Sequence, residues 1–190
     1  MIVNERIVAY INSLDRGNSP ICNTIEKEAI EDDVPIIRKE MGNLLKVLLE
    51  LKQPQSILEV GTAVGYSSIL MSENMPEGCI IDTIENYDKR IPIARNNFKR
   101  AGKEDCIRLI EGDAMEVLKE LEGPYDFIFM DAAKGQYINY LPEILRLMPK
   151  GGLLITDNIL QEGELVESRY VVTRRDTMAA DLRVDTRVMF

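Results

Sequence analysis

The chain has 190 residues, a length that fits one domain and is sufficient for a sizeable buried core. Its composition, 45% hydrophobic and 29% charged, is that of a soluble globular protein, and no apolar run approaches the roughly 20 residues that cross a bilayer. We therefore expect no membrane-spanning segment. The formal net charge of −9 argues against general nucleic-acid binding by phosphate neutralisation, but leaves room for a local basic patch.

Histidine is absent, which excludes Ser-His-Asp and Cys-His catalysis and His-ligated zinc. Any catalysis has to use carboxylates, amides, lysine, tyrosine or a bound ion. The three cysteines, Cys22, Cys79 and Cys106, are far apart, so we expect free buried thiols rather than a disulfide framework or a thiolate zinc site. Residues 1–6 carry no charged-then-apolar leader, and we expect a cytoplasmic protein.

The first fifty residues are predicted to be helical. Leucine and methionine side chains recur at helical spacing after Pro35, which marks a helix boundary, and they predict an amphipathic helix over residues 38–51. Five short apolar runs follow and predict buried strands over residues 56–60, 79–84, 106–110, 125–130 and 152–156. Helical stretches lie between them, over residues 66–75, 88–101, 114–121 and 136–148.

Asp88 is a possible cap of the second of these helices, and Pro92 falls in its first turn, where a missing N–H costs little. The alternation of strand and helix predicts βαβ units with right-handed crossovers. We therefore expect an α/β fold, a mostly parallel, doubly wound, Rossmann-like sheet with helices on both faces and further helices at the N-terminus. In such a sheet, ligands bind at the carboxyl ends of the strands, near the point where the winding reverses.

The first predicted strand ends in a glycine loop, Glu59-Val60-Gly61-Thr62-Ala63-Val64-Gly65-Tyr66-Ser67. This G-x-x-x-G pattern lacks the closely spaced glycines that bring backbone amides to a dinucleotide pyrophosphate. Because a carboxylate, Glu59, precedes the first glycine, the loop suits a ligand with cationic groups and no phosphate, such as S-adenosylmethionine. Glu85 lies 24 residues after Gly61, near the spacing at which an acidic side chain accepts ribose hydroxyls. The alternative for Glu85 is a charge near the start of the next helix.

Polar residues also follow the other predicted strands. Residues 112–114, Gly-Asp-Ala, lie where the adenine end of the same ligand is expected, and by themselves they are only a helix cap. Asp131 ends the fourth strand, and Asp157 and Asn158 end the fifth. If the two strands are neighbours, these three side chains present a set of oxygen ligands that suits Mg²⁺. The alternative is that they only form turns.

These residues resemble the class I, cation-dependent O-methyltransferases, which include catechol and caffeoyl-CoA methyltransferases, and within that family most resemble bacterial tRNA 5-hydroxyuridine methyltransferases. The resemblance covers residues 34–170, and its most specific motifs are residues 58–67, 131–137 and 156–158. It implies that Mg²⁺ is bound by Asp131, Asp157 and Asn158, and that Lys134 is the general base. It implies cofactor contacts at Met41, Glu59, Gly61, Ser67, Glu85, Gly112, Asp113, Ala114 and Asp131.

Two of these residues have simpler alternatives. Met41 lies on the apolar face of a predicted helix, where methionine is more often part of the core. Lys134 could equally be a solvated lysine at a helix start, or a partner of Asp131.

The resemblance also implies an activity, the S-adenosylmethionine- and Mg²⁺-dependent methylation of the 5-hydroxyl of a tRNA uridine. Tyr137 or Tyr170 would offer a stacking face to the base, and Arg169, Arg174 and Arg175 a basic rim. The alternative acceptor is a small catechol-like or caffeoyl-type phenol. Two other classes stay open: a catalytically inactive cofactor-binding module and a nicotinamide-dependent oxidoreductase. The family further implies a homodimer to which the N-terminal helices contribute.

We expect a single domain, with a helical N-terminal part over residues 1–53, a cofactor-binding core over residues 54–160 and an atypical C-terminal segment over residues 161–190. Members of this fold usually end with a helix and an antiparallel strand pair. Only residues 171–190 follow Tyr170, and within them residues 184–190 are predicted as one strand. We therefore expect incomplete C-terminal strands and an exposed sheet edge.

Overall fold

The structure is a computed structural model that describes residues 4–15 and 17–159. Three helices precede the sheet: α1 (Glu5–Ser13), α2 (Pro20–Glu31) and α3 (Lys39–Lys52). A capping residue precedes each of the first two helices, Asn4 before α1 and Ser19 before α2. Its side chain accepts a hydrogen bond from a free backbone N–H of the first turn. The helix predicted over residues 38–51 is confirmed within one residue at each end.

The sheet has five strands: β1 (Ser56–Val60), β2 (Ile80–Glu85), β3 (Ile107–Glu111), β4 (Phe127–Met130) and β5 (Leu153–Thr156). Their order is β3-β2-β1-β4-β5, and every neighbouring pair is parallel. The five predicted strands are confirmed, with shifts of one or two residues at some ends. The chain winds from β1 outward to β3 and then crosses to β4 and β5, so the winding reverses between β1 and β4.

Four helices connect or follow the strands: α4 (Tyr66–Ser72), α5 (Ile91–Arg100), α6 (Ala114–Glu120) and α7 (Tyr137–Leu147), the last preceded by a short 3-10 turn, Lys134–Gln136. The prediction of Asp88 as the cap of α5 is wrong, because the cap position is Arg90 and the helix begins at Ile91. Residues 86–90 instead form a turn, in which the Arg90 N–H donates to the Tyr87 carbonyl. Pro92 lies in the first turn of α5, as predicted.

Helices cover both faces of the sheet, as predicted. Successive side chains of a strand point to opposite faces. Ile57 of β1 is buried in a cluster with side chains from α2 to α5, whereas its neighbour Leu58 is buried in a second cluster with side chains from α6 and α7. Two apolar cores therefore fix the sheet from both sides and hold its strand ends in place.

The cysteines are free thiols, with Cys22 and Cys79 buried and Cys106 partly buried, as predicted. Burial raises the pKa of the Cys22 and Cys79 thiols to about 12, so both are poor nucleophiles at neutral pH. Among the residues that the structure describes, no helix has the length and apolar character needed to span a membrane. The predictions for Arg169, Tyr170, Arg174, Arg175 and the strand over residues 184–190 fall outside the described residues.

Candidate active site

A cavity of about 700 Å³ opens at the carboxyl ends of the strands. Its wall includes a residue that ends or directly follows each of the five strands: Gly61 after β1, Glu85 at the end of β2, Gly112 after β3, Asp131 after β4 and Asp157 after β5. These residues are distant in sequence, and the parallel sheet brings them to one edge. The cavity therefore spans the point where the winding reverses, where ligands bind in folds of this type.

The glycine loop after β1 is shaped by a close approach of two backbones. Gly61 has a φ of +105°, and a Cβ at this position would lie inside van der Waals contact with the carbonyl oxygen of Asp131. The Asp131 N–H donates to the Val60 carbonyl at 3.0 Å, which joins the ends of β1 and β4. Only glycine fits at position 61 without displacing this contact.

Glu59 lies behind the cavity wall and is fully buried. Its carboxylate accepts hydrogen bonds from the hydroxyls of Ser67 at 2.5 Å, Thr83 at 2.5 Å and Ser68. Ser67 lines the cavity, whereas Glu59 is not part of the wall. The structure thus does not bring Glu59 to the predicted cofactor contact; it places the carboxylate where it holds the start of α4 against β1 and β2.

Burial raises the pKa of the Glu59 carboxyl from 4.5 to about 7, because the loss of solvent disfavours the charged form. The three hydroxyl donors act in the opposite direction and the negative charge of Asp131 adds to the rise. A carboxyl group one layer behind the wall therefore titrates near neutral pH.

Glu85 lines the cavity at the end of β2, at the position predicted for a ribose contact. Its carboxylate accepts from the backbone N–H of Ala63 at 2.8 Å and from those of Asn86 and Tyr87 at 3.0 Å each. Because a carboxylate has about four acceptor sites, one remains for a ligand hydroxyl. The alternative of a first-turn helix charge is not what the structure shows, since α5 begins at Ile91 and has no acidic residue in its first turn.

The residues of the loop after β3 have two roles: some line the cavity wall, and one caps the next helix. Gly112 and Ala114 line the cavity. Asp113 is not part of the wall; its side chain accepts from the Met115 N–H at 2.9 Å and caps α6. Asp113 is therefore a helix cap, and the cofactor contact predicted for Gly112 and Ala114 stays a prediction at residues that line the cavity.

The predicted metal ligands Asp131, Asp157 and Asn158 all line the same cavity. Met130 pairs with Thr156 in the parallel ladder, and the Asp157 N–H donates to the Met130 carbonyl at 3.1 Å. Asp131 and Asp157 therefore follow paired strand residues, with backbones about 4.8 Å apart, the spacing of adjacent strands. The chemistry of this set, two carboxylates and an amide on one cavity wall, suits a hard divalent cation such as Mg²⁺.

Tyr137 lies at this negatively charged end of the cavity. Its hydroxyl donates to the backbone carbonyls of Met130 and Asp157, at 3.1 and 3.3 Å. Burial raises the pKa of Tyr137 far above its ordinary value, and the charges of Asp131 and Asp157 raise it further. The phenol therefore stays neutral and holds the two strand ends together.

Two predicted site residues remain, Met41 and Lys134. Met41 is half-buried on α3, packs against the apolar core and does not line the cavity, a position that favours its core alternative. The backbone of Lys134 begins the 3-10 turn that follows Asp131-Ala132-Ala133. The Lys134 side chain falls outside the described part of the structure.

Sequence patterns missed part of the cavity wall. Residues 35–38, which directly precede α3, line the cavity, as do Tyr66, Tyr87, Arg90 and Tyr140. Residues 35–37 lie before the predicted helix of residues 38–51, and they approach the sheet only through the tertiary fold. Tyr140 follows Tyr137 by three residues on a helix, a spacing that places both side chains on one face and could have marked it.

Comparison with known proteins decides the family. Residues 15–190 match the family model described as O-methyltransferase. The chain belongs to the O-methyltransferase family. The family recognised from the sequence motifs is thereby confirmed, and so is the prediction that the protein is an O-methyltransferase.

Several relatives resemble this O-methyltransferase over most of its length. A catechol O-methyltransferase of Niastella koreensis is 34% identical over 168 residues, which are 86% of this chain and 70% of that protein. Caffeoyl-CoA O-methyltransferase 2 of Populus trichocarpa is 34% identical over 167 residues, 76% of this chain and 66% of that protein. The crystal structure of the O-methyltransferase from Bacillus cereus, in complex with SAH, has a TM-score of 0.85 at 26% identity and covers 96% of this chain and 84% of that one.

Proposed function

We propose that this O-methyltransferase transfers a methyl group from S-adenosylmethionine to a hydroxyl that has a second oxygen beside it. The observation that carries the proposal is the single cavity, with the Glu85 carboxylate at the β2 end and Asp131, Asp157 and Asn158 at the β4–β5 end. The relative from Bacillus cereus, crystallised with SAH, supports the choice of methyl donor.

The methyl donor would occupy the cavity from β3 to β4. Glu85 would accept a hydrogen bond from a ribose hydroxyl, the loop at residues 112–114 would lie beside the adenine, and Gly61, Ser67 and Asp131 would contact the methionine part. The negative charges of Glu85 and Asp131 favour a ligand that carries a sulfonium cation. Met41 and Glu59 lie outside the wall, so the proposal gives them no direct contact.

A divalent cation, most simply Mg²⁺, would be held by Asp131, Asp157 and Asn158. When bound, it orients the two acceptor oxygens and lowers the pKa of the acceptor hydroxyl. Lys134 is proposed as the group that accepts the hydroxyl proton, since it follows Asp131 by three residues. The rigid junction of β4 and β5, fixed by Tyr137, would keep the acceptor beside the methyl donor, and this proximity supplies much of the rate.

For the acceptor we propose the 5-hydroxyl of a tRNA uridine, whose neighbouring carbonyl offers the second oxygen. This proposal rests on the sequence motifs, and it keeps the predicted cytoplasmic location. A small catechol-like phenol is the second candidate, and the names of the relatives from Niastella koreensis and Populus trichocarpa favour it. Both acceptors present two adjacent oxygens, so both suit the same acidic end of the cavity.

A single assay separates the candidates. Hypomodified tRNA and a catechol are offered side by side with methyl-labelled S-adenosylmethionine, with Mg²⁺ and after EDTA treatment. The proposal expects label in tRNA, lost with EDTA, restored by Mg²⁺ and falling steeply with salt. It also expects less labelled tRNA from Arg174→Ala/Arg175→Ala than from Lys27→Ala/Lys99→Ala, a control pair of exposed lysines outside the cavity wall.

Other results of this assay reject parts of the proposal. Label only in the phenol rejects the tRNA acceptor and leaves the O-methyltransferase. Transfer that is insensitive to EDTA rejects the metal. Cofactor binding without transfer to any hydroxylated acceptor indicates a binding module that has lost its chemistry.

We also propose a homodimer in which the N-terminal helices take part. Exposed apolar side chains lie along α1 and α3, among them Tyr10 at 65% and Leu51 at 77% exposure. The two helices are joined by a hydrogen bond from Asn12 to Glu40 at 2.8 Å, so they can present one surface. Light scattering tests the proposal: a dimer that becomes monomeric in Tyr10→Glu/Leu51→Glu supports it, and a monomeric wild type rejects it.

A further inference from the structure

Tyr140 is a buried residue of the cavity wall whose hydroxyl has no hydrogen-bond partner among the described residues. The residue is 6% exposed, and its ring packs in the apolar cluster with Ile144 of the same helix and Leu118 of α6. Within residues 4–15 and 17–159, the Tyr140 hydroxyl makes no hydrogen bond, and the only enclosed polar side-chain atoms without a partner are Asn12 Oδ1 and Asn18 Oδ1. The Tyr140 oxygen therefore retains access to open space, which the cavity supplies.

The two tyrosines of α7, Tyr137 and Tyr140, have different charged neighbours. The negative charges of Asp131 and Asp157, at the ends of β4 and β5, act on the Tyr137 hydroxyl. One turn further along, the pKa of Tyr140 is raised, first by burial and then by the charge of Asp113 in the loop after β3. Tyr140 also shares its apolar cluster with Ala114 and Leu118 of α6, and Ala114 lines the cavity beside Gly112, which follows β3.

The loop after β3 is separated from the proposed acceptor site. β3 and β5 are the two outer strands of the five, four strand intervals apart, which is about 19 Å at the usual spacing. The acidic cluster belongs to the β4–β5 side, and the loop beside Tyr140 belongs to the β3 side. The part of a ligand that lies beside the loop after β3 is therefore far from the reacting oxygen.

We propose that Tyr140 is a binding residue for the nucleobase of the methyl donor, its hydroxyl hydrogen-bonding a polar edge of the adenine. This inference rests on the proposed cofactor. Adenine presents ring nitrogens that accept and an amino group that donates, and a tyrosine hydroxyl can pair with either kind of group. Because the hydroxyl is open to the cavity, a polar group of the ligand can become its hydrogen-bond partner in place of water. The ring and the hydroxyl of Tyr140 thus have separate roles, the ring in the core and the hydroxyl in ligand selection.

The test measures SAH binding by calorimetry and thermal stability for the wild type and two matched variants. Tyr140→Phe keeps the buried ring and removes only the hydroxyl, so we expect SAH to bind about 5- to 10-fold more weakly while Tm stays within about 1 °C of the wild type. Tyr125→Phe is the control, because its buried hydroxyl donates to Asp82 at 2.6 Å and it does not line the cavity. This control should lower Tm by a few degrees and leave SAH affinity unchanged.

The possible failures are distinguishable. If the wild type binds SAH and Tyr140→Phe binds it equally well, the role of Tyr140 is wrong and the proposed function stands. If Tyr140→Phe changes only the KM of the acceptor, Tyr140 belongs to the acceptor site and the inference is overturned. If the wild type does not bind SAH, the proposed function itself fails, and this inference fails with it.

Discussion

The titration of Glu59 should make the stability of this protein depend on pH near neutrality. The carboxyl is fully buried, and its pKa is about 7 in the folded protein, against 4.5 for the ordinary group. The folded state therefore binds the Glu59 proton more tightly than the unfolded state does. It follows that this group contributes stability below pH 4.5 and that the contribution is lost as the pH rises toward and through 7.

The size of the effect follows from the shift. At about 1.4 kcal/mol for each pKa unit, the folded protein should lose about 2–3 kcal/mol from this one group between pH 5 and pH 8. Glu59→Gln keeps the shape but does not titrate, and the hydroxyls of Ser67, Ser68 and Thr83 can reorient to accept from its amide. The variant should therefore lack this part of the pH dependence.

Urea unfolding of the wild type and Glu59→Gln at pH 5, 6, 7 and 8 measures the difference directly, since all other titrating groups are shared. We expect the free energy of unfolding of the variant to rise by about 2–3 kcal/mol relative to the wild type across this range. Glu77→Gln, at an exposed position outside the cavity wall, controls for the loss of a negative charge. Parallel pH profiles for the wild type and Glu59→Gln would refute the reasoning.

Three further substitutions test other parts of the site and its support. Glu85→Ala should weaken SAH binding by about 1.5–3 kcal/mol through loss of charge-assisted hydrogen bonds, as measured by calorimetry; unchanged affinity would limit Glu85 to its backbone contacts. Gly61→Ala should lower the free energy of unfolding by about 1–3 kcal/mol. The loss should be larger than that of Gly78→Ala, because Gly78 has a similar φ but open space around it. Equal losses in urea unfolding would contradict the close contact with Asp131. Arg108→Ala removes a two-bond ion pair to the buried Asp82, and urea unfolding should show a loss of about 1 kcal/mol with no change in SAH affinity; an affinity loss would connect this pair to the cavity.

The sequence predicts the sheet well because its information is local. Runs such as residues 56–60 and 80–85 are short and apolar and are separated by helical stretches, so alternation alone indicates a parallel sheet. The same logic places Glu85, Asp131 and Asp157 at one edge, since the carboxyl ends of parallel strands coincide. These predictions need no knowledge of how deeply each side chain is buried.

The sequence is less informative where the depth of burial and the packing of side chains decide. Glu59 stands one residue before the strand end, and only the three-dimensional structure shows that three hydroxyls enclose it behind the wall. Met41 lies on the correct helix, but on a face that packs against the core. Asp88 is a residue type that often caps helices, but residues 86–90 form a turn and α5 begins only at Ile91. Tyr140 shares a helix face with Tyr137, which its spacing indicates, but the packing of that face on α6 is visible only in the structure.

The central claim is that the cavity at the strand ends binds S-adenosylmethionine. The most direct measurement is a pair of calorimetric titrations of the wild-type protein, one with S-adenosylmethionine and one with NAD. The account predicts binding of S-adenosylmethionine with one site per chain and no binding of NAD, because the G-x-x-x-G loop lacks the glycine spacing that a pyrophosphate requires. Binding of NAD without binding of S-adenosylmethionine would contradict it.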